Sequence, residues 1–150
     1  RFRLRGERAD DGSPLVLWLT QRLFVRVLPV VMKWLENDKS DVPRAEVLQD
    51  FAQQAARAKM APQPPVQIDA STDDWLINAV DVGSNDQIIR LTFKSGSEQS
   101  AYLTFTSQQL RQWLSIIYAA WMKAGWTGDL WPSWVQESHP PTKPQPTVLH

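Results

Sequence analysis

The sequence contains no cysteine, and this absence excludes several kinds of chemistry. Without thiols the chain has no disulfide framework, no thiolate metal site and no cysteine nucleophile. A chain without disulfides is typical of the reducing cytoplasm, so we expect a cytoplasmic protein. Only six glycines occur among 150 residues, and none of them forms a glycine-rich loop of the kind that cradles phosphates. The sequence therefore predicts no phosphate site of that type.

Histidine is scarce and the net charge is zero. His139 and His150 lie at the proline-rich end of the chain, and we interpret them as solvated residues rather than ligands. Asp73 and Asp74 are adjacent, so they point in different directions on a regular element and make a poor acid/base pair. We therefore predict no catalytic residue, no metal and no cofactor. An enzyme whose site assembles from distant residues stays open as an alternative.

Residues 15–35 form the longest apolar stretch, which raises the question of a membrane span. Arg22, Arg26 and Lys33 interrupt it. Each charge near the centre of a bilayer would cost about 2.5–3.5 kcal/mol. The segment is therefore not predicted to span a membrane, and no membrane association is expected. Its residues up to Leu19 are assigned to a strand, and a helix from Thr20 to about Asn37 is expected to carry the three cations on its outward side.

The strongest local signals lie between Gln87 and Trp126. Ile89, Leu91 and Phe93 alternate with polar residues, a period typical of a strand with one buried face. After a turn at residues 95–98, apolar residues alternate again over residues 101–105. These two runs predict a β-hairpin.

A helix follows this hairpin, and both of its ends are marked. Thr106 and Gln109 have the spacing of a capping box at the start of a helix. Gly125 suits the left-handed position at its end, and we expect Trp126 to fold back onto Trp121. The predicted apolar face consists of Leu110, Trp113, Leu114, Ile117, Ala120, Trp121 and Ala124.

The same strand–strand–helix order occurs at the start of the chain and suggests an internal repeat. Thr20 aligns with Thr106 as the helix cap, and Phe24 aligns with Leu110. Phe2 and Leu4 alternate with Arg1, Arg3 and Arg5 as the first strand of this copy. Pro29 falls inside the predicted helix, so we expect a kink near residues 25–29 or two abutting helices.

These elements predict an α+β fold in the order ββααβββα. We expect one antiparallel sheet of about five strands with three helices on one face. The second helix of this fold is expected to be capped by Ser40 or Asp41 and to start at Val42-Pro43. Its apolar face consists of Val47, Leu48, Phe51, Ala52 and Ala55, and residues 75–82 are predicted to form the third strand.

The predicted domain spans residues 1–126. Its halves, 1–60 and 70–126, are joined by a proline-rich strap at residues 61–65, and residues 127–150 form a tail rich in tryptophan and proline.

The leading functional hypothesis is a non-enzymatic protein–protein interaction or assembly domain. Trp126, Trp131, Pro132 and Trp134 cluster after the last long helix, and aromatic anchors dominate the energetics of protein interfaces. The partner would be another protein or a second copy of the chain. The competing interpretation is that these tryptophans cover the end of the core.

The alternative hypothesis is nucleic-acid binding by the first strand. Arg1, Arg3 and Arg5 project from one face, and Arg8 follows closely. Basic strands with nearby aromatic residues can bind a phosphate backbone. Three nearby carboxylates, the neutral charge of the chain and the use of basic edge strands to block sheet pairing all oppose this interpretation.

Overall fold

The computed structural model describes residues 1–37, 45–96 and 98–136. Its strands are β1 (Phe2–Glu7), β2 (Pro14–Leu19), β3 (Asp73–Leu76), β4 (Ala79–Ser84), β5 (Ile88–Ser95) and β6 (Gln99–Thr106). Its helices are α1 (Gln21–Asn37), α2 (Ala45–Ala58), α3 (Ser107–Lys123) and α4 (Ser133–Gln136). The predicted start of α2 and both histidines lie outside the described residues.

The α+β class is confirmed, but the predicted single sheet is wrong. The strands form two three-stranded sheets in the orders β1-β2-β3 and β4-β5-β6. β2 and β3 are parallel, whereas every other pair is antiparallel. The described residues also contain four helices rather than three, because the short α4 was not predicted.

The predicted strand at residues 75–82 divides because the chain changes its pairing partner there. The Ile77 amide donates to the Trp18 carbonyl at 2.9 Å, which continues the pairing with β2. The next amide, that of Asn78, donates to the Lys94 carbonyl on β5 at 2.9 Å. Ile77 itself is buried. The two sheets are therefore joined through one extended segment.

The order and limits of β5, β6 and α3 agree with the prediction, although Leu103, Ala120 and Ala124 of the predicted apolar faces are exposed. Ile89, Leu91 and Phe93 are buried. The Thr106 hydroxyl accepts from the Gln109 amide at 3.3 Å, and the Gln109 side chain accepts from the Thr106 amide at 3.0 Å. The predicted capping box is thus confirmed.

The end of α3 also agrees with its prediction. Gly125 has a φ of 75°, a conformation that glycine adopts without the steric strain of a side chain. Trp126 packs edge-on against Trp121 with the ring centroids 4.8 Å apart. The helix therefore stops where the sequence indicated.

α1 runs unbroken from Gln21 to Asn37 with Pro29 inside it. The expectation of two abutting helices is therefore wrong. Pro29 is exposed, whereas Phe24, Leu28 and Val31 are buried on the other side of the helix. The proline ring thus lies on the solvent side, away from the core packing.

Within the described residues, one hydrophobic cluster joins β1 to α4 and the residues that precede α4. The Phe2 ring lies 4.8 Å from Phe24 and 5.1 Å from Trp126, measured between centroids. The cluster continues through Trp131, Trp134 and Val135. Packed structure therefore extends past Trp126, where the predicted domain ended. Between the halves, residues 61–69 contain no helix or strand and are mostly exposed.

Candidate interaction surface

Helix α2 packs with its polar side inward. It contacts α3 and α4, and Gln49, Gln53 and Ala56 are buried in these contacts. Its apolar side points to solvent, with Phe51 63% exposed and Val47 and Leu48 exposed as well. This orientation is the reverse of the usual surface helix, whose apolar stripe faces the core. We call the exposed residues Val47, Leu48 and Phe51 the α2 face.

A network of hydrogen bonds explains why glutamines occupy the inner side of α2. Arg111 of α3 donates from Nη2 to the Gln49 side-chain oxygen and from Nη1 to the Gln49 carbonyl at 3.4 Å. Gln53 donates from Nε2 to the Arg111 carbonyl at 2.8 Å and to Ser115 Oγ at 2.9 Å. Buried polar groups require such partners. The network therefore fixes which side of α2 faces α3.

Two further bonds attach α2 at its ends. Near its start, Gln49 donates from Nε2 to the carbonyl of Leu35 in α1 at 3.0 Å. Near its end, Gln112 of α3 donates to the Ala56 carbonyl at 3.0 Å. The helix is thus held along most of its length by directional contacts.

The predicted tryptophan cluster packs near the contacts that α4 makes with α2 and α3. Trp131 is only 2% exposed, and its ring packs edge-on against Tyr118 at 5.2 Å and Trp121 at 5.9 Å. Trp134 is 3% exposed; its ring lies 5.3 Å from the Arg111 guanidinium, and its Nε1 donates to a Glu36 oxygen at 3.1 Å. Both rings are therefore core residues in this chain.

The structure does not gather the four predicted partner-contacting residues into one patch, because Trp126 packs against Trp121 near the end of α3 whereas Trp134 packs against Arg111 near its start. Trp126 and Pro132 are partly buried, so all four offer little open apolar surface. A direct contact with a partner was predicted for them and stays a prediction. Their observed contacts place α4 against α2 and α3 instead.

The predicted basic surface is present on the outer side of the sheet β1-β2-β3. Arg1, Arg3 and Arg5 are exposed. Arg3 is paired with Trp18 across β1 and β2, and its guanidinium carbon lies 5.6 Å from the Trp18 ring centroid. Arg1 and Trp18 line a recess of about 370 Å³ together with Asp74 and Leu76.

Arg8 does not join this surface. It donates to Ser13 Oγ at 2.8 Å and forms an ion pair with Asp73 at 2.9 Å. Its guanidinium carbon lies 5.8 Å from the Trp75 ring. The hydrogen bond with Asp73 is the main cause that raises the pKa of Arg8 above its ordinary value. The structure thus brings together three of the four predicted arginines and adds the carboxylate of Asp74.

Sequence reasoning found the apolar residues of α2 but not the side on which they lie. The one available signal is that Gln49, Gln53 and Ala56 also recur at three- and four-residue steps, which makes a second continuous stripe on the helix. That stripe becomes the inner side only because Arg111 and Ser115 face it.

Comparison of the chain with protein-family models, with curated proteins and with solved structures finds no match. Within residues 1–37, 45–96 and 98–136, no helix has both the length and the apolar character needed to cross a bilayer. The same residues contain no group of three or more histidine, aspartate or glutamate side chains arranged to hold a metal ion.

Proposed function

We propose that this protein is a non-enzymatic interaction or assembly domain and that the α2 face is the surface that contacts its protein partner. The observation that carries the proposal is the orientation of α2, with Phe51 63% exposed while Gln53 is fully buried. Contiguous exposed apolar side chains mark protein interaction sites. A partner that covered Phe51 would remove this apolar surface from water.

The rigidity of α2 supports the same proposal. Hydrogen bonds from Arg111, Gln53 and Gln49 fix the position of α2 in the chain without a bound partner. Because less side-chain and backbone freedom is lost on binding, a preorganised helix binds with a smaller entropic cost. An aromatic residue with aliphatic neighbours on one helix face is also the arrangement used when a helix docks into a groove.

The tryptophan cluster has an indirect part in this proposal. Trp134 lies against Arg111 and is bonded to Glu36, so it supports the side chain that holds α2. Trp126, Trp131, Pro132 and Trp134 would then affect partner binding through the position of α2. Cytoplasmic location remains part of the proposal and is supported by the cysteine-free composition.

A photo-crosslinking experiment in cells tests the proposed surface. A benzophenone amino acid replaces Phe51 in one variant and Tyr102, which is 61% exposed on β6, in a matched control. We expect a crosslinked product of discrete mass from position 51 only, and we expect Leu48→Asp to abolish it. The benzophenone amino acid is also placed at positions 47 and 48. If positions 47, 48 and 51 all give no more crosslinked product than position 102, the proposed surface is wrong.

Nucleic-acid binding is the second candidate function, and the stacking of Arg3 on Trp18 favours it. Aromatic and basic side chains on one sheet face suit single-stranded nucleic acid. Asp74 on the same face opposes it. Binding of mixed-sequence oligonucleotides that weakens steeply with salt and is lost in Arg3→Ala would support this candidate, whereas no binding at low salt would remove it.

We also propose that residues 1–37 and 87–124 are two copies of one unit. The strand registers support this, because the residue just before each threonine cap pairs with the first strand of its hairpin: Leu19 pairs with Phe2, and Phe105 pairs with Ile89. Both helices also begin with a threonine hydroxyl that accepts from the amide three residues later, at 3.2 Å for Thr20 and 3.3 Å for Thr106. A single rotation relating both units in an experimental structure would establish the repeat.

A further inference from the structure

The exposed side of α2 has the spacing of a helix-pairing seam. Leu48, Phe51, Ala55 and Ala58 follow one another at steps of three, four and three residues, and all four are exposed. Apolar residues at alternating steps of three and four are typical of two helices that pack side by side. The opposite side of α2 is occupied by α3 and α4. The exposed side of α2 therefore has the residue spacing needed to pack against another helix.

The sizes of the seam residues indicate which helix fits. The two large side chains, Leu48 and Phe51, lie in the first half of α2, and the two small ones, Ala55 and Ala58, lie in the second half. A second α2 in antiparallel orientation places Phe51 against the other copy's Ala55. The same register places Leu48 against the other copy's Ala58. Large residues then meet small ones along the whole seam, as close packing requires.

A parallel pair of α2 helices fits less well. It would place Phe51 beside Phe51 and Ala55 beside Ala55, so one end would be crowded and the other would be left with a void. It would also bring the two Lys59 ammonium groups together, since Lys59 follows directly after the helix. In the antiparallel pair the Lys59 side chains lie at opposite ends, and the helix dipoles are opposed favourably.

We propose that the partner of the α2 face is a second copy of this chain, bound as an antiparallel α2–α2 pair about a two-fold axis that lies between the two helices at the level of residue 53 along each. This inference rests on the proposed function and specifies its partner. The contact is isologous, so each copy offers the same seam to the other. A 14-residue helix is about 21 Å long, and so small an interface predicts a weak dimer whose population rises with concentration.

Sedimentation equilibrium over a wide range of concentration tests the self-association. The wild-type chain is compared with Phe51→Asp and with the matched control Tyr102→Asp, since both residues are more than half exposed. We expect concentration-dependent dimerisation that Phe51→Asp weakens about tenfold or more and that Tyr102→Asp leaves unchanged. Thermal melting of each variant confirms that it is folded.

Disulfide trapping tests the orientation, and the absence of native cysteine makes it specific. In the proposed register Leu48 faces Ala58 of the other copy, whereas the two Ala58 residues are about 15 Å apart along the axis. Such a separation is too long for a disulfide. Mixed Leu48→Cys and Ala58→Cys chains should therefore form the heterodisulfide faster than either variant forms a disulfide with itself. Faster self-disulfides at both positions would overturn the antiparallel register.

The outcomes also separate this inference from the proposed function. A monomer at every concentration, together with photo-crosslinks from position 51 to a protein of different mass, would refute the self-pairing and keep the α2 face as a partner surface. A monomer without any crosslink from that position would refute both. A dimer that Phe51→Asp leaves intact would show that self-association uses another surface and would refute the α2–α2 pair.

Discussion

Replacing Trp131 by alanine tests whether the tryptophan cluster belongs to the core. The Trp131 ring is 2% exposed and lies between Tyr118 and Trp121. Removal of a buried tryptophan side chain costs about 3–5 kcal/mol, because transfer free energy is lost and a cavity remains. In a chain of this size each kcal/mol lowers the melting temperature by about 2–4 °C. We therefore expect Trp131→Ala to lower it by about 6–20 °C.

The unpaired indole nitrogen of Trp131 refines this expectation. Among the described residues, Trp131 Nε1 is buried without a hydrogen-bond partner, which carries a desolvation penalty of about 1–3 kcal/mol. Trp131→Phe removes that group and keeps most of the ring contacts. It should therefore cost clearly less than Trp131→Ala.

Circular dichroism melts and urea titrations measure these effects, and Phe51→Ala is the control. Because Phe51 is 63% exposed, its loss should change the stability by about 0.5 kcal/mol or less. If Trp131→Ala melted within about 2 °C of the wild type, the core placement of the cluster would be refuted. At protein concentrations below self-association, a large destabilisation by Phe51→Ala would show that the α2 face is already covered within the monomer.

Three further substitutions test other parts of the account. Thr106→Ala removes the capping box of α3 and should cost about 1 kcal/mol of unfolding free energy, whereas Thr106→Ser should cost much less; equal losses would contradict the cap. Gln53→Ala removes two buried hydrogen bonds but also removes Oε1, which is buried without a partner among the described residues, so its cost in urea titrations should lie near the lower end of about 1–3 kcal/mol; a neutral result would contradict the network. Hydrogen bonds from Ser71 lower the pKa of Asp69 below its ordinary value of 3.8. The ionised Asp69 side chain therefore adds to the free energy of unfolding above that pH, and this addition is lost as the pH falls through the lower pKa of the folded chain. Asp69→Asn should make the free energy of unfolding fall less steeply at acidic pH, and an unchanged fall would contradict a stabilising role for these hydrogen bonds.

The sequence predicted the elements whose signals are local. The hairpin of β5 and β6 and the limits of α3 depend on alternation, a capping pair and one glycine within a short stretch. These features act through contacts between near neighbours in the chain, so periodicity and capping rules were sufficient.

The sheet arrangement depends on distant residues and could not be read in the same way. The parallel pairing of Leu17 with Trp75 joins strands separated by two helices. No local pattern specifies that Ile77 bonds to one sheet and Asn78 to the other. The alternation over residues 75–82 therefore predicted an extended segment correctly but not its division into two strands.

The candidate surface was missed for a related reason. α2 carries an apolar stripe and a glutamine stripe, and burial of the second depends on Arg111, which is 62 residues from Gln49. The tryptophan cluster shows the converse, since its members were recognised but their burial depends on how α4 packs. In both cases the residue types were informative, whereas the side that faces solvent was decided by tertiary contacts.

The central claim is that α2 faces solvent with its apolar side, and thiol labelling of two neighbouring positions tests it most directly. Ala55 is exposed and Ala56 is 3% exposed, and each can be replaced by cysteine in a chain that has none. At protein concentrations below self-association, we predict that Ala55→Cys reacts with a thiol reagent like a free cysteine and that Ala56→Cys reacts about a hundredfold more slowly, because its reaction requires local opening. The reverse order would show that α2 packs with its apolar side inward and would contradict the account.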